Sequence, residues 1–358
     1  MSDQVVNPWD TQTAGGVIRK IKVPFSLFLG FYGRSIYFET DKIFFERVNT
    51  NYRRVAPFVA PNVQGWINRR EGYTADSLAP AYIKEKDEVD INAPLMRMPG
   101  ETMVSGSYTN QQRHDIIVAD LAAQQKQRIY NRFEWLACEA AKNAQVTISG
   151  EKYPTRTVVF PRNAGLTLVS DWSAAGADPM GDISALRRIA NTESGARIVD
   201  VYFGRDAYNA YFKAHKELLV GLGGLMDTRL GGSDTQITRL LDQFEGLEFV
   251  GRVSGLNGAG EIRIWIYEAT YLDAETNAQK YFLEPSEVFG IAPAVFSGVR
   301  CFGAIKDGRA GWKAMEIFSK NWVSQEDPWE EFFMSQSAPL MVPGDANATF
   351  LIKTGTTP

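Results

Sequence analysis

The hydrophobic pattern divides the chain into an irregular start, a long extended stretch, one long helix and a mixed remainder. Up to about Leu29 no periodicity is sustained, yet Val5, Val6, Trp9, Val17, Ile18, Ile21 and Val23 are too many apolar residues for a solvated tail. Such an arm lies on something, either its own body or a neighbouring copy. From Ile36 to Val48 and from Val55 to Ile67 the residues are β-rich, broken by Asn49-Thr50-Asn51, Pro57 and Pro61. Arg69-Arg70-Glu71-Gly72-Tyr73 reads as a polar turn between extended segments, and Pro80, Pro94 and Pro99 punctuate the stretch beyond it. This excursion offers no compact core of its own and is expected to pack on a partner.

Between Ser107 and Ser149 there is neither Gly nor Pro, and Ile129, Phe133, Leu136 and Ala140 recur at i, i+4, i+7 and i+11. That stripe predicts one helix from about Asn110 to Lys142, about 50 Å long at the usual rise, with Cys138 inside it. Its length suits the backbone of a flat domain. Tyr153 to Val169 returns to strand-like residues. Asp182 is expected to cap a short helix, Ile183 to Asn191, that Gly195 ends. Ile198 to Phe203, with Asp200 as its one polar interruption, suits a central buried strand. Tyr208, Tyr211, Phe212, His215 and Leu219 then repeat at helical spacing. Ile262, Ile264 and Ile266 alternate with Arg263, Trp265 and Tyr267 as a further strand. Arg205 to Tyr271 therefore reads as a compact α/β subdomain, with a flexible glycine-rich loop from Gly221 to Ser233 inside it.

Composition narrows the function. With 44% hydrophobic and 22% charged residues, the chain can bury a sizeable core and is not a disordered protein. A formal net charge of -4 argues against a DNA-coating protein, although such a surface could still face packaged DNA. Cys138 and Cys301 cannot make a disulfide framework and suit a reducing cytosol. The polar start carries no secretory signal, and no apolar run approaches a membrane span. A soluble protein made in the cytoplasm is expected.

Catalytic chemistry is sparse. Two histidines, His114 and His215, and two distant cysteines give no zinc spacing. His215 falls on the apolar stripe of its helix and reads as a packed residue, whereas His114, near the start of the long helix, is expected to be exposed. Gly221-Leu222-Gly223-Gly224-Leu225 lacks the Lys-Ser/Thr end of a phosphate loop and comes after a helix instead of a strand. No Gly-x-Ser-x-Gly elbow precedes a helix. Adjacent acidic pairs such as Glu330-Glu331 read as solvated faces or subunit contacts. Trp66, Trp312, Trp322 and Trp329 read as core or interface anchors. No catalytic, metal or cofactor site is expected.

Four stretches in order carry a resemblance. They are Ala56-Pro57-Phe58-Val59-Ala60-Pro61 leading to Pro80-Ala81-Tyr82-Ile83-Lys84; Gly195 to Phe203 with Lys213-Ala214; Arg300-Cys301-Phe302-Gly303; and Lys320-Asn321-Trp322-Val323 with Asp327-Pro328 and Gln336-Ser337-Ala338-Pro339-Leu340-Met341. In this order and spacing the chain resembles the phage lambda-like major capsid protein family, from about Phe25 to about Phe350. Glu217 to Thr235 departs from the family by being longer and richer in glycine.

The resemblance implies an α+β chain of the Hong Kong 97 capsid fold. Its parts would be an N-terminal arm (1–35), an extended loop region (36–106), a peripheral domain with a spine helix (107–180), an axial domain (181–298), and return strands to the peripheral domain with the C-terminus (299–358). It implies a structural subunit that assembles with itself, as pentamers and hexamers, into the icosahedral shell of a tailed bacteriophage. Such a shell encloses double-stranded DNA without binding it specifically and is built in the host bacterial cytoplasm. A portal, a scaffold and a protease are implied at assembly, with a decoration protein as a further possible partner. On this reading Val5, Val6 and Trp9 contact one neighbour, and Arg69, Arg70, Glu71 and Tyr73 lie over another. Gly221, Gly223 and Gly224 would line the capsomer axis, where one chain must fit five-fold and six-fold surroundings. An encapsulin-type shell enclosing enzyme cargo, and a cytosolic α/β enzyme built around the Ile198 strand, are the alternatives.

Overall fold

The structure is a computed structural model, and it describes residues 9, 11–21, 26–40, 42–48, 73–78, 80–96, 108–150, 153–221, 246–253, 261–274, 276–326 and 329–355. The chain opens with helix α1 (Thr11–Lys20) and a single helical turn, α2 (Leu27–Gly30). Four strands come next: β1 (Arg34–Phe38), β2 (Ile43–Val48), β3 (Tyr73–Leu78) and β4 (Ile83–Val89). The long helix α3 (Asn110–Asn143) leads into β5 (Gln145–Gly150), β6 (Tyr153–Val159) and β7 (Thr167–Val169). After these lie α4 (Pro179–Ser194), β8 (Asp200–Phe203) and α5 (Arg205–Gly221). Beyond them run β9 (Leu247–Val253), β10 (Ile262–Tyr267), β11 (Thr270–Leu272), β12 (Gln279–Tyr281) and β13 (Glu287–Ile291). The chain closes with β14 (Val299–Gly303), β15 (Phe318–Glu326), β16 (Trp329–Ser337), β17 (Pro339–Val342) and β18 (Thr349–Lys353).

The long helix has the predicted bounds to within a residue because its ends are chemically marked. Thr109 accepts from the Gln112 amide while the Gln112 side chain accepts from the Thr109 amide, a reciprocal cap. At the other end Ala144 turns into the left-handed region. The whole predicted stripe, Ile129, Phe133, Leu136 and Ala140, is buried. Helix α4 begins earlier than expected. Asp178, not Asp182, caps it by accepting from the Gly181 amide, and Asp182 instead takes the Trp172 indole at 2.9 Å. Gly195 ends α4 in the left-handed conformation, as its position predicts.

A six-stranded sheet in the order β7-β18-β13-β8-β10-β9 holds the fully buried strand β8 in its interior. Its polar interruption, Asp200, is satisfied from the neighbouring strand: Arg263 pairs with it at 2.6 Å and the Trp265 indole donates at 3.1 Å. At Gly290 of β13 the Phe350 ring of β18 lies where a side chain would begin, 2.2 Å from an added Cβ, so only glycine lets these strands approach. The last strand, β18, lies in this sheet between β7 and β13. Strands β14 to β17 pair back toward the N-terminal half in the sheets β1-β14-β17 and β15-β16-β4, and β18 does so through β7. Strands of the extended region thus gain ladders from residues more than 200 positions away. The pairs β2-β3, β5-β6 and β11-β12 stand as two-stranded ribbons among the described residues.

One core runs from α2 across α3 to the six-stranded sheet, with Phe28, Phe133, Phe203, Phe289, Phe302 and Phe350 fully buried in it. Cys138 and Cys301 are both free and buried. Burial pushes the Cys138 thiol up, and its Sγ donates to the Phe282 carbonyl at 3.1 Å.

Candidate assembly interface

The arm is ordered as a helix where the sequence suggests irregular chain. Ala14 and Ile18 of α1 are buried against Val118 and Ala122 of α3, Val89 of β4 and Phe333 of β16. The helical spacing of Ala14, Val17, Ile18 and Ile21 is legible in hindsight, but Gly15-Gly16 lowers the helix propensity that would have announced it. Trp9 sits on the chain's own body. Its indole donates to Asp115 at 2.9 Å, and its ring meets Phe333 edge-on.

Two buried side chains and one half-buried arginine on the body pin the arm by the ends of its helical segments. Lys126 of α3 donates at 2.6 Å to the carbonyls of both Ile18 and Ile21, the open acceptors at the end of α1. Two turns along the same helix, Glu134 accepts from the amides of Phe28 (2.8 Å) and Leu29 (2.7 Å), the open donors at the start of α2. Arg300 of β14 closes the other end of α2, donating to the carbonyls of Leu29 (3.0 Å) and Tyr32 (2.7 Å). Glu134 is wholly buried. Burial pushes its carboxyl up to about 7, even though the Leu29 and Phe28 amides and the Tyr267 hydroxyl favour the charge. The Tyr32 hydroxyl adds a bond to the Ala137 carbonyl at 3.1 Å.

At the start of α3, His114 corrects the expectation of exposure. It is 2% exposed, and its Nε2 lies 3.0 Å from the Glu331 carboxylate of β16. Its partner is 217 residues distant, which is why local pattern did not find it. Along the α3 face turned to β4, Arg128 pairs with Asp87 at 2.7 Å and Glu85 at 3.1 Å, and Gln125 bonds to Asp87 and the Phe333 carbonyl.

Several large apolar side chains stay exposed, among them Leu272, Trp312 and Val159 singly, and a group beside the start of α3. The turn Ala93–Leu95 packs on α3, with Arg113 donating to the Pro94 carbonyl. Around that junction Leu95 is 71% and Met96 62% exposed, joined by Ile91, Tyr108 and Ile116. A cluster of large apolar side chains left to water is a candidate contact surface. Of the residues singled out from sequence, Val5, Val6, Arg69, Arg70, Glu71, Gly223 and Gly224 lie outside the described residues. Tyr73 opens β3 opposite Val48, and Gly221 ends α5. Among the described residues no group of histidine, cysteine and carboxylate side chains could hold a metal ion, and no helix is long and apolar enough to cross a membrane.

Residues 11–354 match the family model described as phage major capsid protein E. The major capsid protein of Enterobacteria phage P21 is 28% identical over 353 residues, spanning 96% of this chain and 97% of that protein. The major capsid protein of Escherichia phage lambda is 29% identical over 331 residues, spanning 89% and 91%. Among solved structures, a prophage capsid protein of Escherichia coli CFT073 superposes with a TM-score of 0.72 at 22% identity, covering 98% of this chain and all of that one.

Proposed function

Since this chain belongs to the phage major capsid protein E family and is thus a structural subunit of a phage shell, we propose that its copies associate as pentamers and hexamers around packaged double-stranded DNA. The family match along nearly the whole chain carries this reading. The fold is that of the Hong Kong 97 capsid type, with α3 as the spine helix. In the proposed division, the six-stranded sheet with α4 and α5 forms the axial part. The sheets β1-β14-β17 and β15-β16-β4 with α3 form the peripheral part.

Subunits are held by area, since obligate interfaces bury about 2,000 Å² or more. The candidate surface is the uncovered cluster of Leu95, Met96, Ile91, Tyr108 and Ile116, continued by the extended loop with Arg69, Arg70, Glu71 and Tyr73 lying over an adjacent subunit. Val5 and Val6 would extend from the Trp9 anchor onto another. Gly221, Gly223 and Gly224 would adapt the capsomer centre to five-fold and six-fold surroundings. Portal, scaffold, protease and decoration partners, and assembly in the host bacterial cytoplasm, rest on the family reading alone. Placing Glu at both Leu95 and Met96 tests the surface. The expected result is folded, soluble subunits that do not close shells, and shells of normal yield and size would overturn this assignment.

A further inference from the structure

Trp9 reaches the body through polar groups whose charges match only when one of them is protonated. Its indole donates to Asp115 Oδ1, which also accepts from Gln111 at 2.8 Å and lies 3.6 Å from His114 Nδ1. Across the ring, His114 Nε2 is 3.1 and 3.0 Å from the two oxygens of Glu331. Both ring nitrogens therefore face carboxylates. An imidazolium donates to Glu331 and sets its charge 3.6 Å from Asp115, an ion pair longer than a hydrogen bond. A neutral ring has one N–H and one lone pair, so either tautomer turns a lone pair on a carboxylate.

The groups meeting at this ring come from four elements. Glu331 and Trp329 belong to β16, Asn321 to β15, Asp115 and Gln111 to α3 itself, and Trp9 to the arm. The ionisable ones acting on His114 are Glu331 and Asp115. They differ in freedom. The Glu331 side chain is 2% exposed and also accepts from Asn321 at 2.7 Å, whereas that of Asp115 is 42% exposed and can turn to water.

We propose that His114 is a pH-sensitive clasp for the N-terminal arm. As imidazolium it ties Asp115, and through it Trp9, to Glu331 and the β15–β16 pair. On losing its proton it keeps the buried Glu331 bond and turns its Nδ1 lone pair on Asp115, which swings to solvent and releases the indole.

The direction is set by the surroundings. Burial opposes charge on His114, but the Glu331 and Asp115 carboxylates outweigh it and hold the imidazole above the usual value of 6.5. Burial likewise opposes charge on Glu331, and His114 with Asn321 holds its carboxyl below 4.5. The histidine contribution is complete below 6.5 and lost as pH rises through its raised value. The Glu331 contribution is complete above 4.5 and lost as pH falls. The clasp is therefore closed between these limits and opens on the alkaline side.

Hydrogen exchange of the full chain, monitored by mass spectrometry from pH 6 to 9 with labelling times scaled for intrinsic exchange, reads the arm directly. Opening of the amides of residues 11–20 should rise by up to about tenfold per pH unit while His114 titrates, with α4 amides unaffected. His114→Gln should abolish the response. Asp115→Asn should do so too, because its amide still accepts from the indole and can donate to the neutral ring. Asp115 is half-exposed, so this variant decides the matter even if His114→Gln fails to fold. An arm that ignores pH, or an Asp115→Asn arm that opens as the unaltered one does, overturns the clasp.

Discussion

Glu134 shows how much one side chain can be asked to hold. It is sealed from water yet supplies the acceptors for two amides at the start of α2, with Arg300 answering at the far end. Removing it leaves buried donors without partners, each costing about 1–3 kcal/mol. Glu134→Ala should therefore loosen the segment around Phe28, read as faster exchange of its amides. The carboxyl is also held near 7 instead of its usual range. A raised value means that the folded chain binds the proton more tightly than the unfolded one. The contribution of this carboxyl is thus full below about pH 4.5 and falls as pH rises toward 7, by up to about 3 kcal/mol. Urea unfolding of wild type should weaken over this range while Glu134→Gln, which cannot ionise, stays flatter; parallel profiles would show that the carboxylate is ionised at no cost.

At the scale of elements, docking of α1 rests on a short apolar face and one lysine. Ile18 is 3% exposed, so Ile18→Ala should cost about 2–5 kcal/mol of local stability. Exchange confined to residues 11–20 would confirm that the arm opens as a unit, whereas a global loss would make it part of the main core. The contrast between α1 and α3 explains what is legible in the sequence. Helix α3 announces itself through its unbroken run without Gly or Pro and through the stripe of Ile129, Phe133, Leu136 and Ala140. Helix α1 spans ten residues, two of them adjacent glycines, and takes its stability from a surface contributed by α3, β4 and β16. The interior strand at Asp200 is likewise legible from its apolar run, although the Arg263 partner that makes its buried carboxylate tolerable comes from another strand. What stayed hidden in each case is a partner far along the chain: Glu331 for His114, Arg300 for α2, Thr349–Lys353 for β13. Periodicity reports which face is buried and is silent about what covers it.

For the whole molecule, the same limit applies one level up. Two strands of the extended region enter sheets only by pairing with residues from the C-terminal half. Beyond those sheets, Leu95 and Met96 remain open to water in a single chain. A chain with a net charge of -4 has little general attraction for DNA, so its surface suits containment. This chain is built to be covered by others of its kind. Electron microscopy of the purified chain, expressed alone and concentrated, tests it most directly. Closed icosahedral particles, tubes or rings built from pentamers and hexamers are expected; discrete, fully folded monomers under every condition would overturn this assembly role.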